Sequence, residues 1–357
     1  MENDNPYLSI VVISRNDNHG GSLLRRMQIF INALIAQCDR YKLKAELIII
    51  EWNPPEDKLG LTHALNYPQS LNCPIRIIEV PPHIHHRFKY AEVLPLFQMI
   101  GKNIGIRKAK GEYVLATNID ILFSDRLMEF LASKKLKSDS FYRVDRYDVD
   151  ENIPLEASIQ EQLAFCDSHC LRSYKRDGVY NFVNKQYQRT YSPLQRLPMS
   201  FRHFIWNNLK RYDLFPKLAK HLWAYRDRAQ LHTNACGDFT LMSKRSWETL
   251  RGYPELEIYS LHIDSLFCFM AYYSGLKEVI LSTSMPVYHI DHSSGWTPES
   301  NDSLDARLSS VKLPKIQESE LDDYAFQMHS NKAPIIFNQL NWGLVDDNLV
   351  ETFPNRN

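Results

Sequence analysis

The chain contains 357 residues, of which 44% are hydrophobic, enough for a large core and one or two domains. Lys and Arg together number 42, as do Asp and Glu, so the formal net charge is zero, which excludes a protein that wraps a long polyanion such as nucleic acid. No apolar run approaches the roughly 20 residues that cross a bilayer, and the first residues are too polar for a secretory signal. With six scattered cysteines, these features predict a reduced, cytoplasmic protein.

The first third of the chain alternates between strand-like and helix-like segments. Short apolar runs rich in β-branched residues predict buried strands at 8–13, 46–50, 75–80 and 113–117. Apolar residues at helical spacing predict helices at 22–38, 91–109 and 126–133. Because these strands lack polar alternation and are joined by helices, we expect an α/β fold with a mostly parallel central sheet flanked by helices.

The rest of the chain suggests an insertion and a return to the sheet. We divide the protein into 1–150, 151–230, 231–300 and 301–357. The second segment is rich in Tyr, Arg, Lys, Gln and Asn and has no strong strand, so we predict a mainly helical insertion. Its basic, aromatic stretch 201–223 is compatible with peripheral contact to a membrane surface or with a surface helix pair. The last segment is a polar C-terminal extension.

Polar residues follow three of the predicted strands. They are Ser14, Arg15 and Asn16 after the first strand, Glu51 after the second, and Asn118 and Asp120 after the fourth. Ligands of open parallel sheets bind outside the carboxyl ends of the strands, so we expect these side chains to share one edge. Each of them alone is more simply a turn or cap residue, but their joint placement favours a binding site.

This combination of residues suits a nucleoside diphosphate. Glu51 can accept the imide N–H of a base, and Trp52 or Tyr90 can cover a ring face. Asp120 can hold a divalent ion that bridges phosphate oxygens. Arg15, Lys102 and Arg107 are available for phosphate charge. The chain has neither a Walker motif nor a GxGxxG sequence after its first strand, which disfavours P-loop and dinucleotide enzymes.

Three later clusters carry further chemistry. Gly237 and Asp238 form either a simple turn or part of an acceptor site. Asp264 stands in the first turn of a predicted helix, where it is a helix-stabilising residue or a general base. His289 and His292 lie close to Asp291, and this density of metal-ligand types predicts a metal site as readily as structural histidines.

The segment from Lys102 to Asp120 resembles the central signature of GT-A glycosyltransferases of the family 2 type. In both, a basic residue and Asn precede Gly, then Ala-x-Gly, then an apolar strand that ends at the metal motif. The segments 8–16, 46–51, 237–253, 262–264 and 289–292 are similar to the other motifs of that family. Asn118 stands where the family has Asp, Glu51 where it has Asp, and Ile263 where it often has Glu.

The resemblance implies a GT-A fold and an inverting transfer of sugar from a nucleotide-diphosphate donor, a UDP-sugar, to an acceptor hydroxyl. The acceptor would be a glycan, a lipid-linked glycan or a small molecule, as in polysaccharide biosynthesis. Asp264 would be the catalytic base, and Mn²⁺ or Mg²⁺ would be bound by Asp120, His289 and His292. The implied donor-binding residues are Ser14, Arg15, Asn16, Glu51, Lys102, Asn103, Arg107, Asn118 and Asp120. The implied acceptor-binding residues are Gly237, Asp238 and Trp296.

Two other functions stay open at this point. A nucleotidyltransferase that makes sugar nucleotides would share the sheet, although it should carry a Gly-rich basic loop after the first strand. A protein that binds a nucleotide or a glycan without catalysis would be consistent with Asn118 and Ile263 at the two altered motif positions.

Overall fold

The structure is a computed structural model that describes residues 5–190, 230–292 and 301–354. Its helices are α1 (Leu23–Tyr41), α2 (Leu61–Ala64), α3 (Pro82–His85), α4 (Gln98–Lys108), α5 (Asp125–Ala132), α6 (Ile159–Ser168), α7 (Lys244–Leu250), α8 (Ile263–Tyr273), α9 (Asn301–Ser310) and α10 (Glu318–Asn331). Its first strands are β1 (Leu8–Ser14), β2 (Ala45–Trp52), β3 (Ile75–Val80), β4 (Tyr113–Thr117), β5 (Ile121–Phe123), β6 (Ser140–Arg143) and β7 (Arg146–Val149). The later strands are β8 (Cys170–Lys175), β9 (Gly178–Asn181), β10 (Gln186–Arg189), β11 (Phe239–Ser243), β12 (Lys277–Ile280), β13 (Val287–Ile290) and β14 (Glu351–Thr352).

The main sheet has the order β12-β6-β11-β4-β1-β2-β3-β14 within the described residues. Its centre, β4-β1-β2-β3, is parallel, while β11 runs antiparallel between β4 and β6. Every residue of β1, β2 and β4 is buried, because one apolar layer on α1 and α5 and another on α4, α7 and α8 cover the two faces. The predicted α/β class, with a mostly parallel sheet flanked by helices, is therefore confirmed.

A smaller sheet stands beside the main one, in the order β10-β9-β8-β7-β13-β5. It draws strands from both sides of the predicted insertion, and β7 and β13 pair in parallel at its centre. The described part of the insertion, 151–190, contains α6 and the strands β8 to β10, which differs from the mainly helical segment that we predicted. These strands escaped prediction because β10 is exposed throughout and their side chains are mostly polar. The stretch 201–223 lies outside the described residues.

The element boundaries follow the sequence closely except before α4. Helix α4 begins at Gln98, seven residues later than predicted, because Pro95 cannot occupy the interior of a helix and restricts the residue before it. Helix α5 begins directly after Ser124, as predicted. Among the described helices, none has the length and apolar character that a bilayer span requires.

Candidate functional site

One carboxylate and two imidazoles converge at the carboxyl end of the main sheet. Asp120 follows β4, His289 lies on β13, and His292 lies just beyond that strand. Their potential ligand atoms all lie within 4.8 Å of one another. The Nε2 atoms of His289 and His292 are 3.8 and 3.6 Å from Asp120 Oδ2, too far for a hydrogen bond. These separations suit three ligands of one shared ion, so the sequence-predicted metal residues are brought together.

His289 is held in place by a buried charge network. Its Nδ1 lies 3.2 Å from Asp148 Oδ1, which leaves Nε2 facing Asp120. Burial by itself would lower the pKa of His289, but the carboxylates of Asp120 and Asp148 outweigh it and the net shift is upward. Asp148 is completely buried and is paired with Arg146 at 2.9 Å and with Arg172 at 2.8 Å. A carboxylate behind a histidine fixes the ring orientation that metal binding needs.

His292 is covered by the loop that precedes α1. Burial lowers its pKa to about 4, so the ring is neutral at physiological pH, and its Nδ1 has no hydrogen-bond partner within the described part of the chain. Gly20 packs directly on the ring: a Cβ there would come 2.6 Å from Nδ1, and the φ of +72° also favours glycine. The buried Arg26 donates to the carbonyl oxygens of His19 and Gly21, and its Nε lies 3.8 Å from Asp120.

The altered motif position, Asn118, lies at the centre of a second network. Lys102 Nζ donates to Asn118 Oδ1 and to the carbonyl oxygen of Gly237, both at 2.8 Å. Asn118 Nδ2 donates to Asp238 Oδ1, and Arg146 donates to the other oxygen of Asp238 at 2.6 Å. Burial lowers the pKa of Lys102 to about 8, although nearby carboxylates, Asp238 foremost, favour its charged form. Donor-side and acceptor-side residues of the prediction therefore share one hydrogen-bonded unit.

Asp264 faces the same cleft from the first turn of α8. Its Oδ1 accepts a hydrogen bond from the Ser265 backbone N–H at 2.8 Å. Its Oδ2 would lie 2.9 Å from a Cβ at Gly237, so only a glycine there leaves the carboxylate its space. Ile263, at the second altered motif position, is buried in the core at 1% exposure. Of the two adjacent positions, only Asp264 therefore offers a carboxylate to the cleft.

Several predicted donor-binding residues do not line the cleft. Ser14 and Arg15 do line it. Asn16 donates to the Leu59 carbonyl oxygen, and Glu51 is buried and accepts from the Leu61 N–H at 2.7 Å. Burial raises the pKa of Glu51 to about 7.

Two further predicted residues and one aromatic candidate pack elsewhere. Asn103 is fully buried and donates to the Tyr253 carbonyl oxygen, and Arg107 donates to Leu340 and lies over the Trp342 ring. Trp52 is completely buried, which corrects the expectation that it covers a ligand ring. Trp296 lies outside the described residues.

The cleft itself is large, with a volume of about 1990 Å³. Its walls come from the loop after β1, the segment after β4, the hairpin strands β8 to β10, the start of α8 and helices α9 and α10. Asp120, Asp238, Asp264, His289 and His292 all face it. A cavity of this size accommodates a nucleotide-sized ligand together with a second substrate.

Four residues of the candidate site escaped the sequence analysis. Arg146, Asp148 and Arg172 are charged residues of a sheet that was not predicted, and Arg26 stands among apolar residues of α1. The alternation Arg146-Tyr-Asp148 could have indicated a strand with two charged residues on one side, because alternate strand residues face the same side.

The fold and the site define an α/β protein with a cleft that can hold a metal at the carboxyl end of its central strands. No family model matches the chain, and no curated protein matches it. Among solved structures, the chain is similar to the crystal structure of S. aureus TarS 1-349, with 13% sequence identity and a TM-score of 0.41. That similarity covers 91% of this chain and 71% of the other.

Proposed function

We propose that this protein is a glycosyltransferase of the GT-A type, which moves a sugar from a nucleotide-diphosphate donor to an acceptor hydroxyl with inversion. One observation carries the proposal: the metal-capable group of Asp120, His289 and His292 lines the same cleft as the helix-borne carboxylate of Asp264. Sugar transfer needs these two functions together, a site for the diphosphate and a base for the acceptor. The resemblance of the segment from Lys102 to Asp120 to the family signature supports the same reading.

The residues at the site fit a transition-metal ion better than Mg²⁺. Mg²⁺ prefers oxygen ligands and several waters, whereas one carboxylate with two imidazoles suits Mn²⁺. Asp148 engages Nδ1 of His289, and the Nε2 atoms of both histidines face Asp120 Oδ2, so both Nε2 atoms are available to the ion. When bound, the ion would supply Lewis-acid stabilisation of the departing diphosphate.

The chain's own groups would perform the remaining tasks. Asp264 would accept the proton of the acceptor hydroxyl, which becomes acidic as its bond to the anomeric carbon forms. Asp238, paired with Arg146 and bound to Asn118, would orient the acceptor-side wall rather than exchange a proton. Lys102 would fix the positions of Asn118 and the Gly237 backbone relative to each other. Arg15, which lines the cleft, would offset phosphate charge.

A second function, nucleotide binding without turnover, is favoured by Asn118 in place of a second metal-binding carboxylate. The resemblance favours uracil as the base of the donor, so UDP is the first ligand to test. Calorimetry with UDP, with and without Mn²⁺, should show tighter binding with the metal. Hydrolysis of a panel of sugar nucleotides should then identify a donor, and Asp264→Asn should abolish transfer while it preserves UDP binding.

The alternatives predict different results in the same experiment. UDP binding without hydrolysis of any donor would support the non-catalytic protein. Release of pyrophosphate from a nucleoside triphosphate and a sugar phosphate would indicate a nucleotidyltransferase. Full transfer by Asp264→Asn would show that another group is the base, and activity in EDTA equal to that in Mn²⁺ would remove the metal assignment.

A further inference from the structure

The smaller sheet has a second face that the proposed reaction does not use. Along β7, Arg146 lines the cleft and the buried Asp148 lies on the same side of the strand, so Tyr147 points to the opposite side. Along β13, His289 faces the cleft and Tyr288 points away. Tyr147 and Tyr288 are register partners, and their rings lie 6.3 Å apart. Strands β7 and β13, which place Arg146 and His289 on the cleft side, therefore present a pair of tyrosines on the other side.

A separate cavity of about 870 Å³ lies on this reverse face. It is bounded by Tyr147 and Tyr288 of the sheet, by α6, by the start of α5 and by the loop around Ser284. None of its lining residues also lines the large cleft within the part of the chain that the structure describes. Its volume suits a mono- or disaccharide unit rather than a nucleotide sugar with its acceptor.

An exposed aromatic platform forms one side of this cavity. Phe182 is 40% exposed, although burial of a phenyl ring is favourable. Its ring lies 6.3 Å from that of Tyr147 with an angle of 27° between the planes. Tyr180 supports it edge-on at 4.9 Å, so the orientation of the Phe182 ring is fixed before any ligand arrives. Fixed, half-exposed rings of this kind bind the apolar C–H face of a sugar.

Planar polar groups line the same cavity. Arg126 makes no hydrogen bond or ion pair with any residue that the structure describes. Asp167 accepts from the Tyr288 hydroxyl, and Gln160 and Ser168 stand beside it on α6. The carboxylate of Asp125 is turned away toward Arg40, at 3.2 Å. One guanidinium and one carboxylate thus remain for the ligand, which matches a neutral ligand with adjacent hydroxyl groups.

We infer that this reverse-face cavity is a second binding site, for a neutral saccharide unit, distinct from the catalytic cleft. The Phe182 ring would stack on the sugar, and Arg126, Asp167 and Gln160 would bind its hydroxyl groups. The inference does not rest on the proposed transferase activity, because no residue of this cavity belongs to the proposed catalytic machinery. In a protein that acts on glycans, such a site would hold part of a long chain away from the reacting end.

The test is saturation-transfer NMR on the full chain with three neutral probes: maltotriose, chitotriose and xylotriose. UDP with Mg²⁺, which is diamagnetic and leaves the NMR signals sharp, is present in excess to occupy the cleft. At least one probe should bind under these conditions, and Phe182→Ala should weaken its affinity roughly tenfold, the loss expected for a stacked ring. Arg126→Ala, at an exposed helix position, should weaken binding of the same probe. It keeps the test valid if Phe182→Ala misfolds.

Phe326→Ala is the matched control, because Phe326 is 38% exposed on α10, away from this cavity. It should bind the probe like the unaltered protein. The inference is overturned if no probe binds, or if Phe182→Ala and Arg126→Ala both bind normally. Calorimetry with UDP on the same samples reports the cleft separately, so failure of the second site and failure of the proposed function are told apart.

Discussion

The Lys102 ammonium lies 2.8 Å from the Asn118 amide oxygen, in a site where Lys102 is fully buried. Asn118 uses its amide nitrogen to bind Asp238 at the same time. A carboxylate at position 118 would satisfy Lys102 but would place its second oxygen against that of Asp238. The amide is therefore the side chain that can bridge an ammonium and a carboxylate, which gives a physical reason for Asn118 at this position of a segment that only resembles the glycosyltransferase signature.

Removal of the Lys102 charge should separate turnover from binding. In Lys102→Met, Asn118 and the Gly237 carbonyl lose their common donor, so the acceptor-side wall shifts relative to the metal-capable group. We expect kcat to fall at least about tenfold while the affinity for UDP changes little, since small displacements of positioned groups are costly for the reaction. Calorimetry and steady-state kinetics measure the two effects, and Lys110→Met, at an exposed position, is the control.

The same variant should alter the pH profile. The pKa of Lys102 is lowered to about 8, so the ammonium is present below pH 8 and is lost above it. If the proposed activity is correct, the rate of the unaltered protein should fall as the pH rises through 8, and Lys102→Met should lack this limb. A limb that persists in the variant would assign the titration to another group.

Asp148 should govern metal affinity from a position behind His289. In Asp148→Asn, the ring loses its carboxylate partner, and we expect Mn²⁺ to bind 10- to 100-fold more weakly, as measured by calorimetry. The variant also removes a buried partner of Arg146 and Arg172, so thermal unfolding is needed beside it. Asp150→Asn, two residues along the chain and outside this network, is the control. Unchanged Mn²⁺ affinity in a folded Asp148→Asn protein would contradict the assignment.

Sequence patterns were sufficient for the parallel centre of the main sheet, because strands β1 to β4 are almost entirely buried. Strands β3 and β4 match their predicted bounds. Short apolar runs with β-branched residues favour strands over other structures. The smaller sheet was not predicted, because the exposed strand β10 pairs through its backbone and carries no apolar signal. Pairing between distant segments, such as β7 with β13, leaves no local mark in the sequence.

The candidate site could be predicted only in part from the sequence. Asp120, Asp264 and the two histidines have residue types that indicate chemistry, and they do share a cleft. Asn103 and Arg107 belong to the same motif, yet Asn103 binds the Tyr253 carbonyl oxygen and Arg107 binds that of Leu340 in the C-terminal extension. A linear motif cannot separate residues that bind a ligand from residues that hold the motif in place.

Glu51 should make stability depend on pH. Burial raises its pKa to about 7 in the folded protein, against 4.5 as its ordinary value. Between these values the folded state retains a proton that the unfolded state has lost, so the free energy of unfolding falls as the pH rises. The loss is complete above pH 7 and amounts to at most about 3 kcal/mol.

Glu51→Gln should escape this loss, because an amide oxygen can still accept from the Leu61 N–H. In urea unfolding, the free energy of unfolding of the variant relative to that of the unaltered protein should be greater at pH 8 than at pH 5. Glu56→Gln, at an exposed position, should show no such gain. An equal difference at the two pH values would mean that Glu51 is ionised across the range.

Two adjacent glycines offer the sharpest test of the loop that covers the site. Gly20 and Gly21 have φ values of +72° and +74°, so an alanine at either position incurs a similar backbone strain of about 1 kcal/mol. They differ in surroundings: a Cβ at Gly20 would lie 2.6 Å from His292 Nδ1, whereas a Cβ at Gly21 would meet nothing within 4 Å. Both variants should lose stability in thermal unfolding, and Gly20→Ala should lose more, because its Cβ also forces the His292 ring to move. Only Gly20→Ala should displace the His292 ring and weaken Mn²⁺ binding, by roughly tenfold, and equal Mn²⁺ affinities in the two variants would remove His292 from the metal site.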